Sequence, residues 1–415
     1  MISLTRFRKP AFAGALASVM VIAGWVATAP AAHADDAGIT WTSQTSAADN
    51  SWSSVTYGNG LFVAVSADGT GNRVMTSPNG VTWTSRTSAA NNGWNSVTYG
   101  NGLFVAVSAD GTGNRVMTSP DGITWTSRTS AADNFWNSVA YGNGLFVAVA
   151  SSGNNNRVMT SPDGITWTSR TSAANNGWFG VTYGNGLFVA VAYSGTGNRV
   201  MTSPDGITWT SRTSAADNFW NSVAYGNGLF VAVANSGTGN RVMTSPDGIT
   251  WTSRTSAADN DWWAVTYGNG LFVAVAYSGN SYRVMTSPDG ITWTSRTSAA
   301  NNSWFGVTYA NGLFVAVSLD GTGNRVMTSG TFTSNASSDP SQWIIVRQGL
   351  PMPATGQCSD VKDADFAYGT GLTGGWTKAW EPWVNSTLGA DGNRIGGWAC
   401  TRTLINKGGQ TWMIG

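Results

Sequence analysis

The 42-residue segment that opens at Ile39 as ITWTSQTSAADNSWSSVTYGNGLFVAVSADGTGNRVMTSPNG is written seven times in succession, and any two copies align without gaps. One such unit carries too little apolar surface to fold alone, so its neighbours must supply the other half of every core. A period of this length falls among four-stranded propeller blades. The expectation is an all-β protein: a seven-bladed β-propeller of 42-residue four-stranded repeats, closed by its N-terminal strand, with a small disulfide-containing C-terminal domain.

Within a copy, clusters of Gly, Pro, Asn and Asp separate four short runs rich in β-branched and aromatic residues. In the first copy they are run A, Trp52 to Tyr57; B, Leu61 to Ser66; C, Arg73 to Ser77; and D, Val81 to Arg86. Run B has an unbroken apolar stretch, Leu61 to Val65, which fits a strand covered on both faces. Run D alternates around Trp83 and reads as a half-exposed outer edge. Two tryptophan series, starting at Trp41 and Trp52, supply inter-blade adhesion, each buried ring contributing roughly 1.5 to 3 kcal/mol before entropy is subtracted. The A to B connection holds Asn59-Gly60, whose positive φ suits a two-residue hairpin.

From the second copy to the sixth, the C to D connection reads Ser-Pro-Asp-Gly-Ile-Thr-Trp, with Asp121, Asp163, Asp205, Asp247 and Asp289 as its acids and Asn79 substituting in the first copy. Pro presets φ, Asp ties its carboxylate to nearby amides, and Gly takes the left-handed position. This turn resembles the Asp-box, or BNR repeat, of the sialidase superfamily of β-propellers, although the residue that the family places between Asp and Gly is missing. The wider resemblance spans about residues 39 to 329. In that family the Asp-box is a folding element remote from the active site, so the likeness implies a fold and no reaction. Sialidases also use a Tyr nucleophile with a Glu base, an Asp acid and three arginines converging at the centre of the ring.

Strand arithmetic shows how the ring closes. The chain begins with an unpartnered D-type run at Ile39 to Gln44, and the seventh copy loses its turn after Ser329. The first run is expected to complete the last blade, whose other strands are Trp304 to Tyr309, Leu313 to Ser318 and Arg325 to Ser329. The alternative completes that blade with Thr331 to Ser334.

Residues 1–34 read as a secretory signal: Arg6, Arg8 and Lys9, an apolar stretch from Ala11 to about Ala29, then Ala32-His33-Ala34. Cleavage after Ala34 would yield a secreted chain with no stable membrane span, 19 basic against 21 acidic residues and a formal charge of −2. That balance disfavours nucleic acid as a partner. It would also remove His33, the only histidine, and leave Glu381 as the single glutamate. Triads built on His and the usual His-containing zinc sites are then excluded, so no catalytic residue, metal or cofactor is expected. Asp68, Asp110 and Asp320 stand in turns ordinary for solvated carboxylates. The arginines of runs C (Arg73 to Arg325) and D (Arg86 to Arg296) are expected to pair with Asp49, Asp133, Asp217 or Asp259 or to stand on a solvated edge.

Copies differ from one another mainly in the D to A and B to C loops, which strand alternation places on one rim. The differences add aromatic surface at Phe135, Phe179, Tyr193, Phe219, Trp263, Tyr277, Tyr282 and Phe305. Flat rings beside amides and guanidinium groups suit sugar rings, and Trp262, Trp263, Tyr277, Tyr282, Phe179, Tyr193, Phe305 and Arg283 form the candidate ligand surface. The expected role is a secreted, non-catalytic binding protein whose partner is a glycan or another extracellular macromolecule, such as a protein. Its alternatives are a sialidase-type glycoside hydrolase and an extracellular scaffold without a small ligand. The oligomeric state is not encoded in any motif.

The propeller is assigned to residues 35–334 and a Ser/Asn-rich linker to 335–342. A Trp-rich domain follows at 343–415, with the only two cysteines, Cys358 and Cys400. An even count in an exported chain favours their pairing, and a loop of about 40 residues would contribute ~3 to 4 kcal/mol on the chain-entropy argument.

Overall fold

The computed structural model describes residues 36–333 and three strands, Ala379–Val384, Ala399–Lys407 and Gln410–Ile414. The expected signal segment, the linker and Cys358 lie outside the described residues. Every strand or helix assigned among them is a strand, and no helix is long and apolar enough to cross a membrane. The three C-terminal strands form one antiparallel sheet.

Seven four-stranded antiparallel sheets make the ring. In the first blade the order from the centre outward is β2 (Trp52–Gly58), β3 (Leu61–Ser66), β4 (Val74–Ser77) and β5 (Thr84–Arg86). Each core is shared, as the repeat requires. Phe62, Ala64 and Met75 pack with Trp52 and Trp83 against Leu313, Val315 and Val317 of the last blade. The opposite face of the same strands, Leu61, Val63, Val65 and Val74, packs against Trp94, Phe104 and Trp125 of the second. β3 is therefore buried along its whole length, and β5 keeps the half-exposed character of an edge.

The hairpin after β2 has Asn59 at φ 47° and Gly60 at φ 76°, the two left-handed positions that Asn-Gly adopts at low cost. In the Ser-Pro-Asp-Gly turns the Asp carboxylate is the organiser. Asp163 accepts from the Ser161 hydroxyl at 2.9 Å and from the Ile165 and Thr166 amides at 2.8 Å, while the Trp167 indole donates to the Gly164 carbonyl at 3.0 Å. Asn79 makes the same two amide contacts at 2.9 Å without a charge.

Closure follows the first of the two expected routes. β1 (Thr42–Gln44) pairs antiparallel with Val326–Gly330, the third strand of the last blade, in the register Thr42 to Thr328, Ser43 to Met327 and Gln44 to Val326. The missing seventh turn is assembled from both chain ends: Gly38 N–H donates to the Ser329 hydroxyl at 2.7 Å, and the Trp41 indole donates to the Gly38 carbonyl at 3.1 Å. Thr331 to Thr333 add no strand. Phe332 instead packs edge-on against Tyr57 and Phe62 of the first blade, and Thr333 N–H bonds the Asn311 carbonyl at 2.7 Å.

Candidate functional site

The D to A and B to C loops do share a rim, and they are stitched to each other there. Asp133, on the segment leaving the second blade, accepts from the Gly113 amide at 2.8 Å and faces Arg115 at 3.5 Å. Asp217 with Arg199, Asp259 with Arg241 and Asp49 with Arg325 repeat the pairing, the last across the closure. The same arginines donate to carbonyls of their own B to C loops, as Arg199 does to Gly195 at 2.8 Å and Tyr193 at 2.7 Å. Arginines of the outer strands stand on the half-exposed edge, and those aspartates pair with the run C arginines instead. Arg86, Arg128, Arg170, Arg212, Arg254 and Arg296 donate to a threonine hydroxyl of the adjacent strand, because antiparallel register sets that hydroxyl beside them.

Asp68, Asp110 and Asp320 cap backbone amides at 2.5 to 2.6 Å, those of Ser51, Gly93 and Ser303. Among the described residues no group of three or more His, Cys, Asp and Glu side chains gathers that could hold a metal. The Asp-box acids lie on the opposite rim. The Thr and Ile amides hold Asp163, Asp205, Asp247 and Asp289 below the ordinary carboxylate value. For Asp121 burial pulls upward most strongly, and the combined bonds from Thr124, Ile123 and Ser119 outweigh it.

At the centre of the edited rim a cavity of about 230 Å³ opens into the channel between the inner strands. Every inner strand carries a bulge one residue after its buried tryptophan, as between Trp52 and Ser54. The extra residue of each bulge lines the cavity. Around the ring these residues are Ser53, Asn95, Asn137, Phe179, Asn221, Trp263 and Phe305. Val55, Val181, Val223, Val265 and Val307 also line it. All of the lining side chains are uncharged.

The polar members are engaged with the next blade. Asn95, Asn137 and Asn221 donate to the carbonyls of Trp136, Trp178 and Trp262 at 3.0, 2.9 and 3.2 Å, and Ser53 donates to that of Trp94. The aromatic members contact one another across the mouth. Trp263 stacks on Phe305 with centroids 4.2 Å apart and meets Phe179 edge-on at 6.3 Å. Loop rings extend the cluster: Tyr277 lies 5.9 Å from Trp263, Tyr193 lies 4.9 Å from Phe179, and Phe219 lies 5.9 Å from Tyr193. Six rings from blades four to seven thus form a continuous band that faces a Ser/Asn arc from blades one to three.

Of the candidate surface, Phe179, Tyr193, Trp263, Tyr277 and Phe305 are brought together. Trp262 is not part of it: the side chain is fully buried against Val265, Phe272 and Met285, because neighbours in a strand point oppositely and the core claims this one. Tyr282 is exposed on the B to C loop but outside the ring contacts. Arg283 donates to the carbonyls of Tyr277 at 3.2 Å and Gly279 at 3.3 Å, bracing the loop that carries Tyr277. Phe219 belongs to the band, whereas Phe135 stands apart over Arg115 at 5.8 Å. The channel positions Ser53, Asn95, Asn137 and Asn221 were not expected at the site; their signal was the variation among copies at the residue following each buried tryptophan.

No protein-family model and no curated protein matches the chain. Solved structures do. The structure titled YCF48 bound to D1 peptide is 13% identical, with a TM-score of 0.54 over 74% of this chain and 100% of its own. Streptogramin B lyase is 10% identical, with a TM-score of 0.60 over 71% of this chain and 98% of its own. The WD40 propeller domain of Doa1 is 15% identical, with a TM-score of 0.51 over 74% and 98%. At these identities the likeness is one of architecture, and it agrees with the strand pairing in making residues 36–333 a seven-bladed β-propeller.

Proposed function

We propose that the protein is a secreted, non-catalytic recognition propeller that holds a glycan, or another extracellular macromolecule, at the edited mouth of its channel. The observation that carries this reading is the broken symmetry of one rim: the opposite turns stay nearly constant, while blades four to seven place a connected aromatic band around a cavity. Stacked rings beside fixed amides give a surface that is apolar and polar within a few ångströms, as saccharide sites are. The structural neighbour that carries a D1 peptide supports the broader point that this fold takes ligands, and keeps a protein partner in view.

The arginines of the third strands favour recognition over sialidase chemistry, since they are tied to loop carbonyls and none lines the channel. We read the Asp-box likeness as a shared way of folding a turn. A scaffold without ligand would leave the exposed rings of Tyr193, Phe219 and Tyr277 without use, and such a connected patch marks a binding surface.

The test is a glycan array probed with the mature protein and with Trp263→Ala/Tyr277→Ala. Loss of about tenfold or more in binding by the double variant is the expected outcome. A blank array for the wild-type protein removes the glycan reading.

A further inference from the structure

The aromatic residues of the channel mouth are coupled to their successors. Phe179 precedes Gly180, Trp263 precedes Ala264 and Phe305 precedes Gly306, whereas the four polar positions are each followed by a serine. Those serines join the blades. The hydroxyls of Ser54, Ser96, Ser138 and Ser222 accept from the amides of Val97, Val139, Val181 and Val265 in the next blade at 3.2 to 3.3 Å. A polar dipeptide therefore ties two backbone groups of its neighbour, a tryptophan carbonyl through its first residue and a valine N–H through its second. A ring followed by Gly or Ala ties neither.

At three junctions, then, the carbonyls of Trp220, Trp304 and Trp52 and the amides of Val223, Val307 and Val55 receive no side chain from this dipeptide of the preceding blade. Independent drift would mix rings with serines and amides with glycines; no copy does so. Space explains part of the coupling, since a Cβ at Gly180 would approach the Asn221 carbonyl and Ser222 Cα to 2.9 Å, and one at Gly306 would lie 3.0 Å from Ser54 Cα. The remainder is chemical. Each edit gives up two inter-blade hydrogen bonds and leaves a ring on the cavity wall close to a valine, Val223, Val307 or Val55, whose amide has lost its serine partner.

We propose that Phe179-Gly180, Trp263-Ala264 and Phe305-Gly306 are three copies of one subsite, that Gly180, Ala264 and Gly306 are its specificity-determining residues, and that the ligand is an uncharged saccharide. This rests on the channel mouth being the binding site. A pyranose offers an apolar C–H face to a ring and a hydroxyl acceptor to the valine amide, so one sugar satisfies both accessible features of a subsite. An apolar peptide side chain would cover the rings and leave the valine amides buried without partners. A sialic acid or uronic acid would bring a carboxylate into a lining with no counter-charge.

The chain contains its own control. Phe179→Asn/Gly180→Ser, Trp263→Asn/Ala264→Ser and Phe305→Asn/Gly306→Ser each install the Asn-Ser dipeptide that blades two, three and five already fold with. Isothermal titration of the full chain would use chitotetraose and a mannan fragment as neutral probes, sialyllactose and a polygalacturonate fragment as acidic ones, and an apolar peptide. The expected result is binding of a neutral saccharide, weakened about tenfold or more by each exchange, with a melting temperature that stays equal or rises for Trp263→Asn/Ala264→Ser, whose second position already carries a Cβ. Neutral-saccharide binding that survives all three exchanges overturns the subsite assignment. Binding of only the acidic saccharides or the peptide, lost on exchange, keeps the mouth as a site and overturns the ligand class. No binding to any probe overturns both.

Discussion

A single carboxylate organises each constant turn, and the first copy shows what happens when the charge is absent. Asn79 holds the Val81 and Thr82 amides as Asp163 holds those of Ile165 and Thr166. The charge matters for pH. The four carboxylates of blades three to six are held below 3.8 chiefly by those amides, so each is more acidic folded than unfolded. Their contribution to stability is complete above the unfolded value and is lost as pH falls through the lowered folded values. A variant with all four changed to Asn should lose that charge-dependent contribution at pH 7 and therefore show a smaller fall in melting temperature below about pH 4 than the wild type. An unchanged acid transition would place the sensitivity elsewhere. Trp262 shows how the repeat outranks composition: it stands in the Trp52 series that fills every core, whereas Trp263 takes the varied position that lines the channel.

Strands act here through what they border. β1 is three residues long, yet it completes the last blade, and Trp41 beside it fills the same interior place that Trp83 and its equivalents fill in the other blades. Removing that ring leaves a large void and loosens the pairing that shuts the circle. Trp41→Ala should cost about 3 to 5 kcal/mol. Equilibrium unfolding in urea checks the value, with Trp167→Ala as the comparison from within the ring, and a cost near zero would mean that closure does not depend on this strand. The Asp49 to Arg325 pair on the same seam is exposed on its acidic side and contributes little by charge alone. Its Gly323 amide contact, at 2.7 Å, is the more useful one. Asp49→Asn, which keeps an acceptor there, should therefore shift the urea midpoint less than Asp49→Ala.

Among the described residues no blade possesses a core of its own, because the seven apolar clusters of the ring straddle neighbouring sheets. Ring closure then makes every blade interior to the array, without the terminal repeats from which open solenoids fray. The propeller should unfold in one transition, with tryptophan fluorescence and far-ultraviolet circular dichroism coinciding, and Trp136→Ala should move that transition without splitting it. Two separated transitions within residues 36–333 would contradict shared cores. The same architecture explains how the site is tolerated: each ring-plus-small edit removes two bonds at one junction, a loss that the buried apolar clusters on either side absorb.

Period, turn chemistry and strand alternation are local properties, so the sequence alone determined the number of blades, the identity of their strands and the rim on which the copies diverge. These follow because a 42-residue unit must repeat its contacts and because a strand alternates its faces. The site was legible only as a set of aromatic differences. Which rings meet, which of two segments closes the last blade, that outer-strand arginines bond threonines, and that Gly180, Ala264 and Gly306 stand where other blades bond their neighbours were decided by tertiary structure. Their reason is shared: residues 42 apart in the chain become neighbours only when seven bulged inner strands are drawn around one axis, and no local signal carries that distance.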